Sequence, residues 1–328
     1  IENVGQIASP GATVRWLIDD QELATSDLES LSPKQSTQVK VSQRIAEPGN
    51  YAVTCQVDWQ DQIDLDQQTS VVVEVSDSLP VLLVHDQLPA GKRKTAKELL
   101  LAALGYDSGE AQDWHSVYRP EVVTSTELAN KTLSNYRGII ITSLGEYDTE
   151  IKERLSGFVN NGGGLWIALG KQVERVDFNR WWYDDGQGLC PVALDLLKTI
   201  DSTNEPAAMI HPPEHDHPAT AQLANTTQLD VDEARLYEHW QLALNAEEAE
   251  TVSVLLTSGD GSPLVVENYH GQGRVLVQAF PLGLEWSNLP QLKSYVVMVH
   301  DWLDYLTAGT TSRYNPVSYT HLRAHETY

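Results

Sequence analysis

Between residues 211 and 218 the chain reads HPPEHDHP. His211, Glu214, His215 and His217 set three imidazoles and one carboxylate within seven residues. Zinc and related ions take those ligand types. Three prolines stiffen the run and no further Cys or His motif completes it, so a solvated loop competes with a metal centre and no metal is expected. A second set of polar residues follows apolar runs: Asp86 after VLLVH, Ser143 after GIIIT, Lys171 after LWIALG and Glu285 after VQAFPLGL. Ligands of open α/β sheets bind outside the carboxyl ends of the strands. Asp86, Ser143, Lys171 and Glu285 are therefore the candidate pocket, against the reading that each is an ordinary polar residue at a strand end. Trp181, Trp182 and Tyr183 stand side by side, fit to stack on a sugar or peptide or to anchor their own loop.

Nucleophiles are harder to find. In FVNNGGGLWIALGKQV, residues 158–173, a helix ends in three glycines and an apolar strand runs into Gly170-Lys171. The turn after such a strand carries the nucleophile in many α/β enzymes, yet Leu169, Gly170 and Lys171 offer none. There is no G-x-S-x-G elbow. Cys190 stands about 20 residues beyond the turn, and the other cysteine, Cys55, falls in a different domain. Without a C-x-x-C pair, neither a zinc knuckle nor a redox couple is indicated. GQGRVL sets its glycines before a strand rather than between strand and helix, so it reads as a hairpin turn and not as a phosphate cradle. No cofactor is expected.

The elements that carry these residues follow from periodicity. Residues 1–77 read as all-β: ATVRWLID, TQVKVSQRI and NYAVTCQVDW alternate apolar and polar positions, and SVVVEV ends the series. Strands at this spacing predict a small immunoglobulin-like sandwich. Tyr51 after the PGN turn fits a tyrosine corner, or an ordinary strand aromatic. From residue 78 the pattern changes. VLLV, EVVT, GIIIT and LWIAL are short apolar runs of the kind buried in parallel sheets. Helices are predicted between them, about Thr95 to Leu104 and from Asp148, with Ile151, Leu155, Phe158 and Val159 as one stripe. This βαβαβ rhythm predicts a doubly wound α/β domain over 78–312. An insertion covers about 171–250. A three-stranded meander and a last helix follow, with Leu292, Tyr295, Val296, Val299, Trp302, Leu303 and Leu306 facing inward and Gly309 as its cap.

Composition bounds the function. The 328 residues carry 46 acidic and 22 basic side chains, a formal net charge of -24. That argues against a nucleic-acid backbone or an anionic membrane surface as partner. No apolar run approaches about 18 residues, so membrane contact is expected only through segments absent from this sequence. Both ends read as cut. PVSYTHLRAHETY, residues 316–328, resembles the translated read-through of a sequencing-library adapter, and 313–328 is expected to be an artefactual or disordered tail.

DSLPVLLVHD, NNGGGLWIALGKQV, DGSPLVVENYHGQGRVLVQAFPLGLEWSNLP and HDWLDYL, in that order, resemble the extracytoplasmic region of BatA-like bacterial membrane proteins that carry a von Willebrand A-type domain. The resemblance implies a CARDB-like sandwich before a three-layer, flavodoxin-like domain of the class I glutamine-amidotransferase kind. In active amidotransferases a cysteine stands at the turn that here is Leu169-Gly170-Lys171, so the fold's nucleophile is expected to be missing. The expectation is a non-catalytic scaffold or interaction module on the extracytoplasmic, periplasmic side of a membrane-anchored protein, not an enzyme. Its partners would be other envelope proteins or missing domains of the same chain. A hydrolase or metal-dependent enzyme using the carboxyl-end pocket, or a carbohydrate-binding module, are the alternatives.

Overall fold

A computed structural model of the chain describes residues 1–43, 45, 47–58, 67–75, 78–86, 95–106, 117–142, 144, 145, 147–200, 208–212, 217–223, 229–245 and 251–308. The chain divides into two compact units between residues 77 and 78. Gly309 and the tail 313–328 lie outside the described residues.

The first unit is a β-sandwich with one regular sheet. Strands β1 (Ala12–Ile18), β2 (Gln21–Leu28), β3 (Gly49–Asp58) and β4 (Gln68–Val75) run antiparallel in the order β2-β1-β3-β4. Asp19 and Asp20 join β1 to β2 with φ of 47° and 64°, the handedness that a two-residue hairpin turn needs. Alternation sets Val14 opposite Val57 and Trp16 opposite Cys55, on the face where Leu28 and Leu31 close the small core. The second layer is irregular. Ser9 N donates to Leu31 O, Asn3 N to Gln35 O and Thr37 N to Ile1 O. TQVKVSQRI, expected as a strand, makes no ladder over its described residues; Val39 packs on the core instead. The Tyr51 hydroxyl donates to Glu47 O at 2.9 Å, which is the tyrosine-corner bond.

The second unit is built on one mixed sheet. Strand β5 (Leu79–Val84) leads to helix α1 (Ala96–Ala103), then β6 (Tyr118–Val123), the short α2 (Ser125–Leu128), β7 (Gly138–Ile141), α3 (Thr149–Asn160), β8 (Gly164–Ala168) and the short α4 (Arg175–Phe178). The insertion adds β9 (Ala193–Thr199), β10 (Ala208–His211), β11 (Arg235–Leu236) and β12 (Glu238–Ala243). The meander β13 (Ser253–Ser258), β14 (Pro263–His270) and β15 (Gly273–Gln278) precedes the closing helix α5 (Lys293–Ala308). Strand order is β11-β10-β13-β14-β15-β8-β7-β5-β6, parallel from β15 to β6 and antiparallel beyond. Taken alone, the parallel half has the doubly wound order 2-1-3-4-5. Within the insertion, β10 and β11 extend the antiparallel edge of this sheet, while β9 and β12 pair apart from it.

Local signals place the elements. Thr95 caps α1 and Glu98 returns the bond to its backbone, a capping box worth about 1 kcal/mol. Asp148 accepts from Ile151 N at 2.8 Å and starts α3. At its other end Gly163 N donates to Phe158 O and Gly162 N to Val159 O, the paired bonds of a Schellman stop, with Gly162 at φ +94°. Gly163 leaves room for the Phe158 ring, and Gly164 for the backbone of α5. Right-handed crossovers that step in opposite directions from the β5–β7 pair put α1 on one face and α3 on the other. Helix α5 lies with α1, tied by His300 Nε2 to Ala103 O at 3.0 Å. Trp166 of β8 meets Trp302 of α5 edge to face, ring centres 4.9 Å apart. Val296, expected in the buried stripe of α5, is 44% exposed, and Met298 and Ser294 are buried in its neighbourhood. No helix among the described residues is long and apolar enough to cross a membrane.

A methyl group at Gly164 would lie 2.6 Å from Leu306 O, whereas one at Gly157 on α3 meets nothing within 4 Å. Gly164→Ala is expected to cost about 1–3 kcal/mol by overpacking, and Gly157→Ala to gain a few tenths to about 1 kcal/mol, in urea unfolding. Asp301 offers a second test. Burial, with Asp304 nearby, raises its carboxyl from the ordinary value to about 6. An acid with a raised folded pKa weakens the fold as pH rises from about 4 to about 6. Gln222 Nε2 donates to Asp301 Oδ1 at 2.7 Å, a bond an asparagine preserves. Asp301→Asn should therefore stabilise the protein by about 1–2 kcal/mol above pH 7 and by close to nothing below pH 4.

Candidate functional site

The strand order of the parallel half reverses between β5 and β7, so their carboxyl ends diverge and leave a crevice. A cleft of about 670 Å³ opens there, lined by His85, Asp86, Thr142, Lys171, Glu174 and Glu285 with Trp286. Strand β5 delivers His85 and Asp86, and β7 delivers Thr142. The turn after β8 brings Lys171 and Glu174, and the loop after β15 brings Glu285. Three of the four expected pocket residues, Asp86, Lys171 and Glu285, thus share one cleft. Ser143 lies outside the described residues.

Each wall is fixed by a nameable contact. Asp86 Oδ1 accepts from Ser125 N at 2.8 Å and from its hydroxyl at 2.9 Å, anchoring α2. His85 Nδ1 lies 2.9 Å from Thr142 Oγ1, and Thr142 Oγ1 is 3.2 Å from Val84 O. Leu169 is fully buried and its N–H donates to Gln278 O. Gly170 O accepts from Trp240 Nε1 at 3.1 Å, so strand β12 holds the Leu169-Gly170-Lys171 turn. The carboxylate of Glu285 folds over Gly283, its Oε2 2.1 Å from where a Cβ would stand. Burial, and then Lys97, lower the His85 pKa, so its neutral form persists below the ordinary range.

Sequence reasoning missed His85, Thr142, Glu174 and Trp286. The signal for the first was present: His85 directly follows the VLLV strand and precedes Asp86. Past the end of β5 the strand alternation no longer holds, and both His85 and Asp86 line the cleft.

The other candidates separate. Trp182 is 3% exposed and meets Tyr147 edge on at 5.8 Å, so it anchors its segment. Trp181 is exposed, but Lys152 Nζ and Arg180 Cζ sit 5.1 and 4.9 Å from its ring centre. A hollow of about 300 Å³ beside them shares Gly145, Gln172 and Glu174 with the main cleft. His211 and His217 face different carboxylates, Asp232 and Glu267, each at 3.9 Å. Glu214 and His215 lie outside the described residues, and among the described ones no three potential ligands cluster for a metal.

Residues 1–69 match the CARDB family model. The chain is similar to two cytoplasmic proteins from Salmonella typhimurium, at 13% and 14% identity and TM-scores of 0.51 and 0.50. Each match covers 70% of this chain, and 99% and 98% of theirs. At such identity the likeness is one of fold, and chemistry must be argued from the site. No curated protein matches the sequence. The class so defined is a mixed α/β protein with a carboxyl-end cleft and an N-terminal CARDB-matching sandwich.

The expectation that the chain is not an enzyme does not stand. Solved structures similar to it include a β-galactosidase from Rahnella sp. R3, at 14% identity and a TM-score of 0.41 over 71% of this chain and 31% of that one. An exo-β-1,4-mannosidase from an Opitutaceae bacterium is another, at 15% identity and a TM-score of 0.37 over 71% and 34%. The physical reason lies in the inference from the empty turn. A missing nucleophile at Leu169-Gly170-Lys171 removes thiol chemistry there and says nothing of His85, Asp86 or Glu285.

Cys190 does not replace that nucleophile. It is fully buried, and burial pushes its thiol far above the ordinary range. Iodoacetamide at neutral pH should leave Cys190 unmodified in the folded protein and label it once urea unfolds the unit, as read by peptide mass spectrometry. Native-state labelling would show a thiol more reachable than its burial allows.

Proposed function

We propose that the chain is an extracytoplasmic module of a membrane-anchored bacterial envelope protein whose α/β unit, amidotransferase-like in kind, binds a small neutral polyhydroxylated ligand. The sandwich serves protein contacts with other envelope proteins or with further domains. The single observation that carries this reading is the cleft at the β5–β7 switch point. Its wall sets three carboxylates, Asp86, Glu174 and Glu285, beside the ammonium of Lys171 and the imidazole of His85. A hydroxyl both donates and accepts, so it satisfies such a mixed wall. A phosphate or sulfate would meet three like charges for one opposite charge. The 670 Å³ volume is that of a small-molecule site. The CARDB match over residues 1–69 and the net charge of -24 support a solvent-facing module.

A thermal-shift and calorimetry panel of sugars and polyols tests the ligand. A true ligand at about 100 times its Kd should stabilise the unit by about 2.7 kcal/mol, and Lys171→Ala with Glu285→Gln should abolish the shift while leaving the unliganded Tm in place. No shift with any neutral polyol, together with a shift from an anionic ligand, would sink the reading. Location has its own test in the uninterrupted gene, where membrane-spanning helices in the same reading frame are expected.

A further inference from the structure

His85 is the one imidazole on the wall of the main cleft among the described residues, and its bonding is directional. Thr142 is 2% exposed, and its hydroxyl sits 3.2 Å from Val84 O, which only accepts. Val84 O accepts from Thr142 N at 3.1 Å and has a second lone pair for the hydroxyl, and with the hydroxyl donating there the Thr142 oxygen accepts from His85 Nδ1 at 2.9 Å. This selects the tautomer with hydrogen on Nδ1 and the lone pair on Nε2. A base needs an oriented, unprotonated ring nitrogen, and a second group that holds the other nitrogen in place. The charged groups around the ring are Lys97 and Glu98 from α1 and Asp86 next in the chain; burial comes first and Lys97 second in keeping the imidazole neutral.

The geometry points to His85 as a general base in this cleft, Thr142 as its positioning residue, and an O-acyl ester of a polyhydroxylated compound as the substrate class. This rests on the reading of the cleft as a polyol site and goes beyond it by one chemical step. Nε2 takes a proton from a bound water while the water oxygen bonds to the acyl carbon. The carbonyl oxygen becomes an oxyanion, and Lys171 is the lining cation available to it. When the intermediate collapses, the bond from acyl carbon to alcohol oxygen breaks, and the imidazolium returns its proton to the departing alkoxide. Water is the sole co-reactant, and a carboxylic acid and the free alcohol are the products. The three carboxylates on the wall disfavour a phosphate ester, and no thiol or serine elbow is required.

The full chain is incubated with glucose pentaacetate and, separately, p-nitrophenyl acetate from about pH 5 to about pH 9, and acetate release is followed by NMR. Saturable release is expected, with log kcat/KM rising at unit slope to a break below the ordinary histidine pKa of about 6.5 and level above it. His85→Gln should lower kcat/KM about 100-fold or more. Thr142→Val should lower kcat with KM little changed, and it remains a readout if His85→Gln loses the wild-type Tm. Equal release by wild type and His85→Gln of matched Tm overturns the proposal. So does an absence of release from a wild-type protein that still binds free glucose or another polyol, with the binding reading left standing. Absence of both release and binding overturns the two together.

Discussion

The second unit depends on how closely α5 approaches the sheet. No Cβ fits between Gly164 at the start of β8 and the backbone of Leu306, and at Gly138 of β7 a Cβ would already touch Thr307 and Leu303. Two glycines at paired positions of adjacent strands make a flat place on which a helix can lie. Trp166 and Trp302 then meet edge to face one turn further along, adding about 0.5–1.5 kcal/mol beyond their burial. This contact sits at the amino ends of the parallel strands. The polar residues of the cleft are gathered at the other, carboxyl ends.

The same constraint explains the strand chemistry. A strand with a helix on each face has no solvent side, so β7 and β8 are buried at every position. Polar residues are excluded from their length and appear only past their ends, as Thr142, Lys171 and Glu174. The cleft then follows from order alone. Where β6 and β7 leave β5 in opposite directions, the crossovers go to opposite faces and the loops above β5 and β7 part. Asp86 is tied on the other side, to Ser125 just past β6, so one of its oxygens is structural before any ligand arrives.

What was legible in the sequence follows this division. The apolar runs VLLV, GIIIT and LWIAL, the Asp148 cap and the three glycines at 162–164 are local signals, and local signals made those elements. Asp86, Lys171 and Glu285 could be placed together because the position after a buried strand determines which end of the sheet a residue occupies. The rest depended on long-range pairing. Nothing in AMIH or RL announces that β10 and β11 will join the antiparallel edge of the sheet, since two to four residues carry no periodicity. TQVKVSQRI has the alternation of a strand and lacks a partner ladder, so its Val39 side chain packs where hydrogen bonds were expected. Val296 fits the helical stripe by spacing, but α5 is covered by α1 over only part of its circumference, and a stripe read from spacing alone is too wide.

The turn at Leu169-Gly170-Lys171 shows how an absence can mislead. Read alone, it lacks a nucleophile, and the expectation of an inert scaffold followed. In the fold its backbone has another use. Leu169 N donates to Gln278 O and Gly170 O accepts from Trp240, so the turn is bound to β15 on one side and to the insertion on the other. With the backbone of Leu169 and Gly170 held from two sides, Lys171 is the side chain of this turn that lines the cleft. The groups with unsaturated hydrogen-bonding capacity stand across the crevice at the end of β5, where His85 is oriented through Thr142 and Asp86 through Ser125. The relevant question for this cleft is therefore which wall is free to react, and the β5–β7 wall has the oriented imidazole that the β8 wall lacks.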